Sequence, residues 1–543
     1  MSESADAREL IDRANPDKPG ISRWWFVVEV LLLIALFFAV TGVAPPSFNE
    51  AHYFAKSKNY WDPTWCANDL FASSGNPHWL FHVTFGAFTE WFSLETTAWI
   101  GRFIGWTVVA IGLCFLTRAF TDRAFASVLV AILWIAGVEG FDLAGEWVVG
   151  GIEGKVPAYG LLLIAMRLMI DGRWVYVWPL LGIASAFHVL VGGWSVLVAI
   201  PLYWYYGREF SSIKTQVLPL MLGGAFAMVG VYPALALTKG VDPSVVAEAA
   251  KIYSFERLTH HLLPSAIGWK HYIRHGLLIV ATYSILRMLD EHRAFRILRF
   301  FSAGMVAIAI AGILIGSFQG VAPDLVAKLL KYYWFRMTDS IVPLVFAMAW
   351  IRLPEVVGNR AGFNKVRFDR VRWVVAAVAL WAVVDAAIES SRMTVRTETG
   401  RVASAIGMNT NSANRQRVVS DWIAVCEWVD RTLPKDEVLL TPRNQQSFKW
   451  YANRAEVVNW KDVPQDAEKL VEWSRRFFDV YPLRLGTVRV PVRYADLIRF
   501  RQQYGARFMI VDRRYSGESL PLIQVYPQSP YETNATYGVY RLP

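Results

Sequence analysis

Glu50 opens the chemical reading of this sequence. It stands in Pro45-Pro46-Ser47-Phe48-Asn49-Glu50-Ala51-His52-Tyr53, a few residues beyond the apolar run from Trp24 to Ala44. A carboxylate held just above a bilayer can take the proton of an acceptor hydroxyl while the reaction partner stays in lipid, which is general-base geometry. The bland alternative is a solvated loop acid. Asp69, in Trp65-Cys66-Ala67-Asn68-Asp69, reaches the same place only if the loop folds back. Glu50 and Asp69 would then be able to share a divalent cation, because oxygen ligands suit such ions. His52 and Tyr53 flank the acid as candidates for substrate contact.

Three further loops carry polar groups of interest. Gly150-Gly151-Ile152-Glu153-Gly154-Lys155 follows Glu146 and places Glu153 and Lys155 at the mouth of the next apolar run, where they either neutralise one another or form a site. Glu256-Arg257-Leu258-Thr259-His260-His261-Leu262-Leu263-Pro264 offers Arg257, His260 and His261; farther on come Lys328, Lys331, Tyr332, Tyr333, Trp334, Phe335 and Arg336. Cations beside aromatic rings at headgroup level suit a lipid phosphate. Ordinary lipid contact or loop packing is the alternative. His260 and His261 are adjacent and cannot face one metal as a helical pair would, so no zinc site is expected. Cys66, Cys114 and Cys426 show no metal-ligand spacing. His188 reads as hydrogen-bonded packing, and Arg102 and Arg167, near span ends, as side chains that snorkel to the interface.

The elements that must position these residues are mostly membrane helices. Of 543 residues, 54% are hydrophobic and 18% charged, against about 25% charged in soluble domains. Apolar runs lie near 24–44, 97–117, 124–138, 157–170, 175–189, 191–206, 216–237, 275–288, 300–317, 337–351 and 373–389, giving about eleven transmembrane helices. A helix needs about 20 such residues to cross ~30 Å of hydrocarbon. The first run is read as a retained span, since Pro45 opposes signal cleavage.

The chain is thus expected to be an α-helical polytopic membrane protein. Lys and Arg cluster in alternate short loops, the most basic holding Arg352, Arg360, Lys365, Arg367, Arg370 and Arg372. This pattern predicts a cytoplasmic amino terminus in the plasma (inner) membrane. Residues 1–23 form a polar, disordered cytoplasmic tail and 24–390 the transmembrane domain, with long outer loops at 45–95, 139–156, 238–272 and 318–336. Residues 400–543 read as an extracytoplasmic α/β domain. It has a helix from Val419 to Arg431, strands at 437–440, 456–459, 507–511, 522–526 and 537–541, and helices beginning near Pro464 and at Tyr494. The net charge of +10 is dispersed over loops, which argues against nucleic acid as a partner.

This layout resembles the C-type glycosyltransferases, multi-span enzymes that use a polyprenyl-phosphate sugar as donor. Asn49-Glu50-Ala51-His52-Tyr53 is similar to that superfamily's acidic signature in the first outer loop, with Asn49 in place of the first acid. The match leaves Glu50 as the main catalytic candidate, assisted by Asp69. Together with Gly150–Lys155, Glu256–Pro264 and Trp460-Lys461-Asp462-Val463-Pro464-Gln465, it also resembles a family of uncharacterised bacterial membrane proteins. Read without the resemblance, Trp460–Gln465 is a helix start with Asp462 near the positive end of the dipole.

The resemblance implies transfer of a sugar from a lipid-phosphate donor to a glycan, lipid or protein acceptor at the outer face of the bilayer. Two other classes compete: a transporter or flippase, which would place ionisable groups or broken helices at the bilayer midplane, and a non-enzymatic envelope protein.

Overall fold

Each of the eleven apolar runs is a helix. The computed structural model describes residues 23–47, 49–289, 292–357, 365–392, 412–481, 493–516, 520–528 and 531–543; the expected tail up to residue 22 and the loop cation Arg360 lie outside them. The apolar helices are α1 (Arg23–Thr41), α2 (Leu94–Thr117), α3 (Ala126–Phe141), α4 (Lys155–Ile170), α5 (Trp174–Phe187), α6 (Val189–Leu202), α7 (Ile213–Ala236), α8 (Trp269–Met288), α9 (Arg293–Ser317), α10 (Arg336–Val357) and α11 (Lys365–Arg392). Six of these segments are long and apolar enough to cross a membrane by length and composition alone. The protein is a helical, polytopic membrane protein with a small carboxy-terminal sheet.

Packing follows from side-chain size. α4 lies between α2 and α5, α5 packs on α7, and α10 packs on α3 and α8. A Cβ on Gly182 of α5 would stand 2.2 Å from the Gly223 carbonyl oxygen of α7, so only glycine lets these backbones touch. Close approach at small residues is the usual basis of helix association in lipid. Trp106, Trp134, Tyr159 and Trp174 fill the interior.

The long loops are structured. Between α1 and α2 the chain forms helix Glu50–Trp61, a turn of helix at Trp79–Val83 and a 3₁₀ segment at Phe85–Glu90; later loops contain helices Pro243–Lys251 and Pro323–Leu330. In the carboxy-terminal domain, strands β1 (Val438–Leu440), β2 (Ala455–Glu456), β3 (Phe508–Asp512), β4 (Gln524–Tyr526) and β5 (Tyr537–Arg541) make one sheet in the order β2-β1-β3-β5-β4. β1 runs parallel to β2 and β3, whereas β5 is antiparallel to β3 and β4.

The helix expected near Pro464 begins later, at Ala467, because the Asp466 side chain caps it by accepting from the Lys469 amide at 3.1 Å. The loops and this domain meet on one face. There the Trp65 indole donates to Asn453 Oδ1 at 3.0 Å, and the Gly75 amide to Asp466 Oδ2 at 2.9 Å.

Candidate functional site

Glu50 begins its loop helix fully buried. Arg102 of α2 grips it from two sides, Nε to Oε1 at 2.6 Å and Nη2 to Oε2 at 2.5 Å. The Ser47 amide donates to Oε2 at 2.8 Å and the Ile152 amide to Oε1 at 2.9 Å. A Cβ on Gly151 would lie 2.8 Å from the Glu50 carboxyl carbon, so glycine is needed for that loop to come so near. Arg102 also donates to the Val43 carbonyl and rests on the Trp99 ring. It is fully buried instead of snorkelling, because Glu50 supplies the paired acceptor that makes an interior guanidinium tolerable. This geometry bears on the general-base reading of Glu50: both of its oxygens are taken up in joining the first loop, α2 and the second loop.

Asp69 is equally occupied and lies elsewhere. Its Oδ1 accepts from the Phe71 and Ala72 amides at 3.0 and 2.8 Å, its Oδ2 accepts from the Glu456 amide at 3.1 Å, and Lys449 Nζ stands 3.2 Å away. The idea of a cation shared by Glu50 and Asp69 therefore has no geometric basis: Arg102 holds one acid and Lys449 the other. Among the described residues no three His, Cys, Asp or Glu side chains form a metal-binding group.

A different carboxylate stands where the four long loops converge. Glu153 precedes α4 and is buried; Asn49 Nδ2 donates to its Oε1 at 2.7 Å. Burial raises its pKa above the ordinary carboxylate value, against the opposing pull of Lys155, Arg336 and Asn49. Beside it, Glu146 is paired with Lys155 at 2.7 Å and with Arg336 at the start of α10. Lys155 lies 3.7 Å over the Trp147 ring, and Arg336 lies 4.0 Å over that of Tyr333.

The wall of this group is aromatic. Tyr53 packs on His78, with ring centroids 5.2 Å apart, and His78 stacks on His188 at 5.6 Å. His188 Nδ1 accepts from the Val191 amide at the start of α6, while its Nε2 lies 3.4 Å from Arg336 Nη1. Burial drives the His78 pKa down to about 4 and raises that of Tyr53, so both rings are uncharged near neutrality. The third loop adds His261, whose Nδ1 bonds the Ala144 carbonyl and whose ring lies 6.5 Å from that of Tyr333. The His260 ring lies against it, tilted, with centroids 4.0 Å apart. Paired cations, a carboxylate with a raised pKa and neutral rings together suit binding of an anionic group beside a site of proton transfer.

Across 96% of its length the chain is similar to ArnT from Cupriavidus metallidurans, solved bound to undecaprenyl phosphate, with a TM-score of 0.52, 11% identity and 98% of that chain covered. The chain shares the fold of that protein. The archaeal oligosaccharyltransferase AglB from Archaeoglobus fulgidus, solved with an inhibitory peptide and a dolichol-phosphate, matches 91% of this chain and 70% of its own at 10% identity and a TM-score of 0.46. Residues 420–480 match a family described as a domain of unknown function, DUF6798. No curated protein matches the sequence.

Within this fold the remaining candidates divide. Tyr53, Glu153, Lys155, Arg336 and His261 come together. Arg257 instead fastens the third loop to the carboxy-terminal domain, its Nε donating to the Trp460 carbonyl at 2.8 Å and its guanidinium 4.8 Å over the Trp460 ring. His52 faces Asp462, Nδ1 to Oδ1 at 3.4 Å, and Lys331 lies over Tyr332 at 5.3 Å. Sequence reasoning missed the parts of Asn49, His78 and Lys449. In sequence Asn49 reads only as a missing acid, and nothing in Gly75-Asn76-Pro77-His78 sets that histidine apart.

Proposed function

We propose that this protein transfers a sugar from a polyprenyl-phosphate carrier to an acceptor hydroxyl at the outer membrane surface, with Glu153 as the general base. The convergence of four loops on Glu146, Glu153, Lys155 and Arg336 carries this reading, within a fold shared with a protein solved on undecaprenyl phosphate. Arg336 and Lys155 face the carrier phosphate. Glu153 takes the acceptor proton as the hydroxyl oxygen bonds to the anomeric carbon and the bond from that carbon to the phosphate oxygen breaks. The lipid phosphate leaves with the electron pair, beside the two cations. A raised pKa makes Glu153 a stronger base than an exposed carboxylate.

A transport path is less well supported. The ionisable groups buried within helices have structural partners: Glu29 holds Arg118 and the Phe125 amide, Arg102 holds Glu50, and Asp339 accepts from the Leu143 and Ala144 amides.

The test uses purified protein in lipid nanodiscs with an undecaprenyl-phosphate sugar and a panel of glycan acceptors. Glu153→Gln should abolish turnover while undecaprenyl phosphate still binds; parental turnover by this variant would remove Glu153 from the mechanism. The proposed outward orientation is checked separately, with an impermeant thiol reagent on intact cells. A cysteine at Ser516 should label and one at Ser211 should not.

A further inference from the structure

Helix Glu50–Trp61 works in two directions. From its amino end, Asn49 holds Glu153 and Tyr53 packs on His78. From another side His52 meets Asp462 of the carboxy-terminal domain, while Lys56 donates to the Phe71 and Ser74 carbonyls and to Ser74 Oγ, clipping residues 71–74 to the helix. That clipped segment continues from Asp69. Asp69 and Asp462 thus both tie this helix to the domain, one through the loop and one directly.

Lys449 joins them. Its Nζ lies 2.7 Å from Asp462 Oδ2, 3.2 Å from Asp69 Oδ2 and 2.6 Å from Glu456 Oε1, and all four side chains are at most 2% exposed. Asn459 Nδ2 bridges Glu456 and Asp462 at 2.6 and 3.0 Å. Burial alone would push the Asp462 carboxyl up, but Lys449 and His52 outweigh it and hold the group well below the usual range. Burial likewise opposes the Lys449 charge, and Asp462, Asp69 and Glu456 overcome it. Lys449 and Asp462 are held in their charged forms, while burial pushes the Glu456 carboxyl up to about 7; such an assembly fixes geometry because loss of one member leaves the others buried without compensation. Lys449, Glu456, Asn459 and Asp462 all fall within the matched segment 420–480.

We infer that Lys449 is a positioning residue: by drawing Asp69 and Asp462 together it clamps helix Glu50–Trp61 to the carboxy-terminal domain and so sets Asn49 and Tyr53 against Glu153. The inference rests on Glu153 being the base, as proposed above. On this view the carboxy-terminal domain tunes the membrane site without touching substrate.

The experiment compares the full-length parent with Lys449→Met in nanodiscs, by hydrogen exchange and by steady-state kinetics with the undecaprenyl-phosphate sugar. Backbone amides in 50–61 should exchange faster by on the order of tenfold or more, since local opening is set by the contacts that hold a segment down. kcat should fall with donor KM and undecaprenyl phosphate affinity unchanged, and Lys449→Arg should restore part of both losses. Unaltered exchange across 50–61 in Lys449→Met would confine Lys449 to the domain interior and overturn the inference. Should that variant not fold, Asp69→Asn removes the opposite side of the clamp and is held to the same outcomes. Exchange needs no turnover, so a parent inactive on the chosen donor counts against the Glu153 reading while the clamp is still decided.

Discussion

Two carboxylate–guanidinium assemblies, Glu50 with Arg102 and Glu146 with Arg336, differ in how fully their surroundings are satisfied. Glu50 and Arg102 are both fully buried, and each Glu50 oxygen has an arginine nitrogen and a backbone amide. Glu146 and Arg336 form the second pair, with the Arg336 side chain 20% exposed and Glu153 held, among the described residues, through one side-chain hydrogen bond from Asn49. A saturated carboxylate has no lone pair left for a substrate proton; one with few donors and a raised pKa does. On the proposed assignment, the number of donors already spent on an acid is a better guide to its chemistry than its nearness in sequence to an apolar helix.

The largest effect that can break this contrast is on rate. Glu153→Gln should lower kcat by about 100- to 10,000-fold, the usual cost of a lost general base, measured by release of undecaprenyl phosphate. Glu50→Gln should act on stability instead, costing about 3 to 5 kcal/mol because Arg102 is left buried without its charge partner. Chemical denaturation would read that loss, and turnover per folded molecule should persist. A folded, inactive Glu50→Gln protein would return the base to Glu50.

Arg336→Gln should weaken undecaprenyl phosphate binding roughly ten- to a hundredfold, the worth of a charge-assisted contact, by titration in nanodiscs. The pH dependence then sharpens the assignment. Because the folded Glu153 pKa is raised, the base form is lost as pH falls through a value above the ordinary 4.5, so the acid limb of kcat/KM should lie above that value. A limb at or below 4.5 would contradict Glu153. The smallest expected change is for Arg257→Gln. This cation is committed to Trp460, so lipid-phosphate affinity should stay within about twofold, as for sites that do not couple.

Hydropathy was enough to locate the membrane helices, since a run of apolar residues long enough to cross lipid has few other stable fates. All eleven runs are helices, and the carboxy-terminal strands lie within a few residues of the pattern-based reading, with 537–541 unchanged. The helix start near Pro464 was misplaced because Asp462, which looks like a dipole partner in sequence, is held by Lys449, while Asp466 makes the cap.

The candidate site was legible only in parts. Glu153, Lys155, Tyr53, His261 and Arg336 could be named from residue type and loop position, but nothing in their spacing says that four loops meet. Residue types determined which groups were able to bind an anion or move a proton, and tertiary structure decided which of them remained available. Arg102, 52 residues from Glu50, satisfies that carboxylate, and Asn49, 104 residues from Glu153, is that acid's one side-chain donor among the described residues. Hydrogen-bond saturation is a property of three-dimensional neighbours, and no local pattern encodes it.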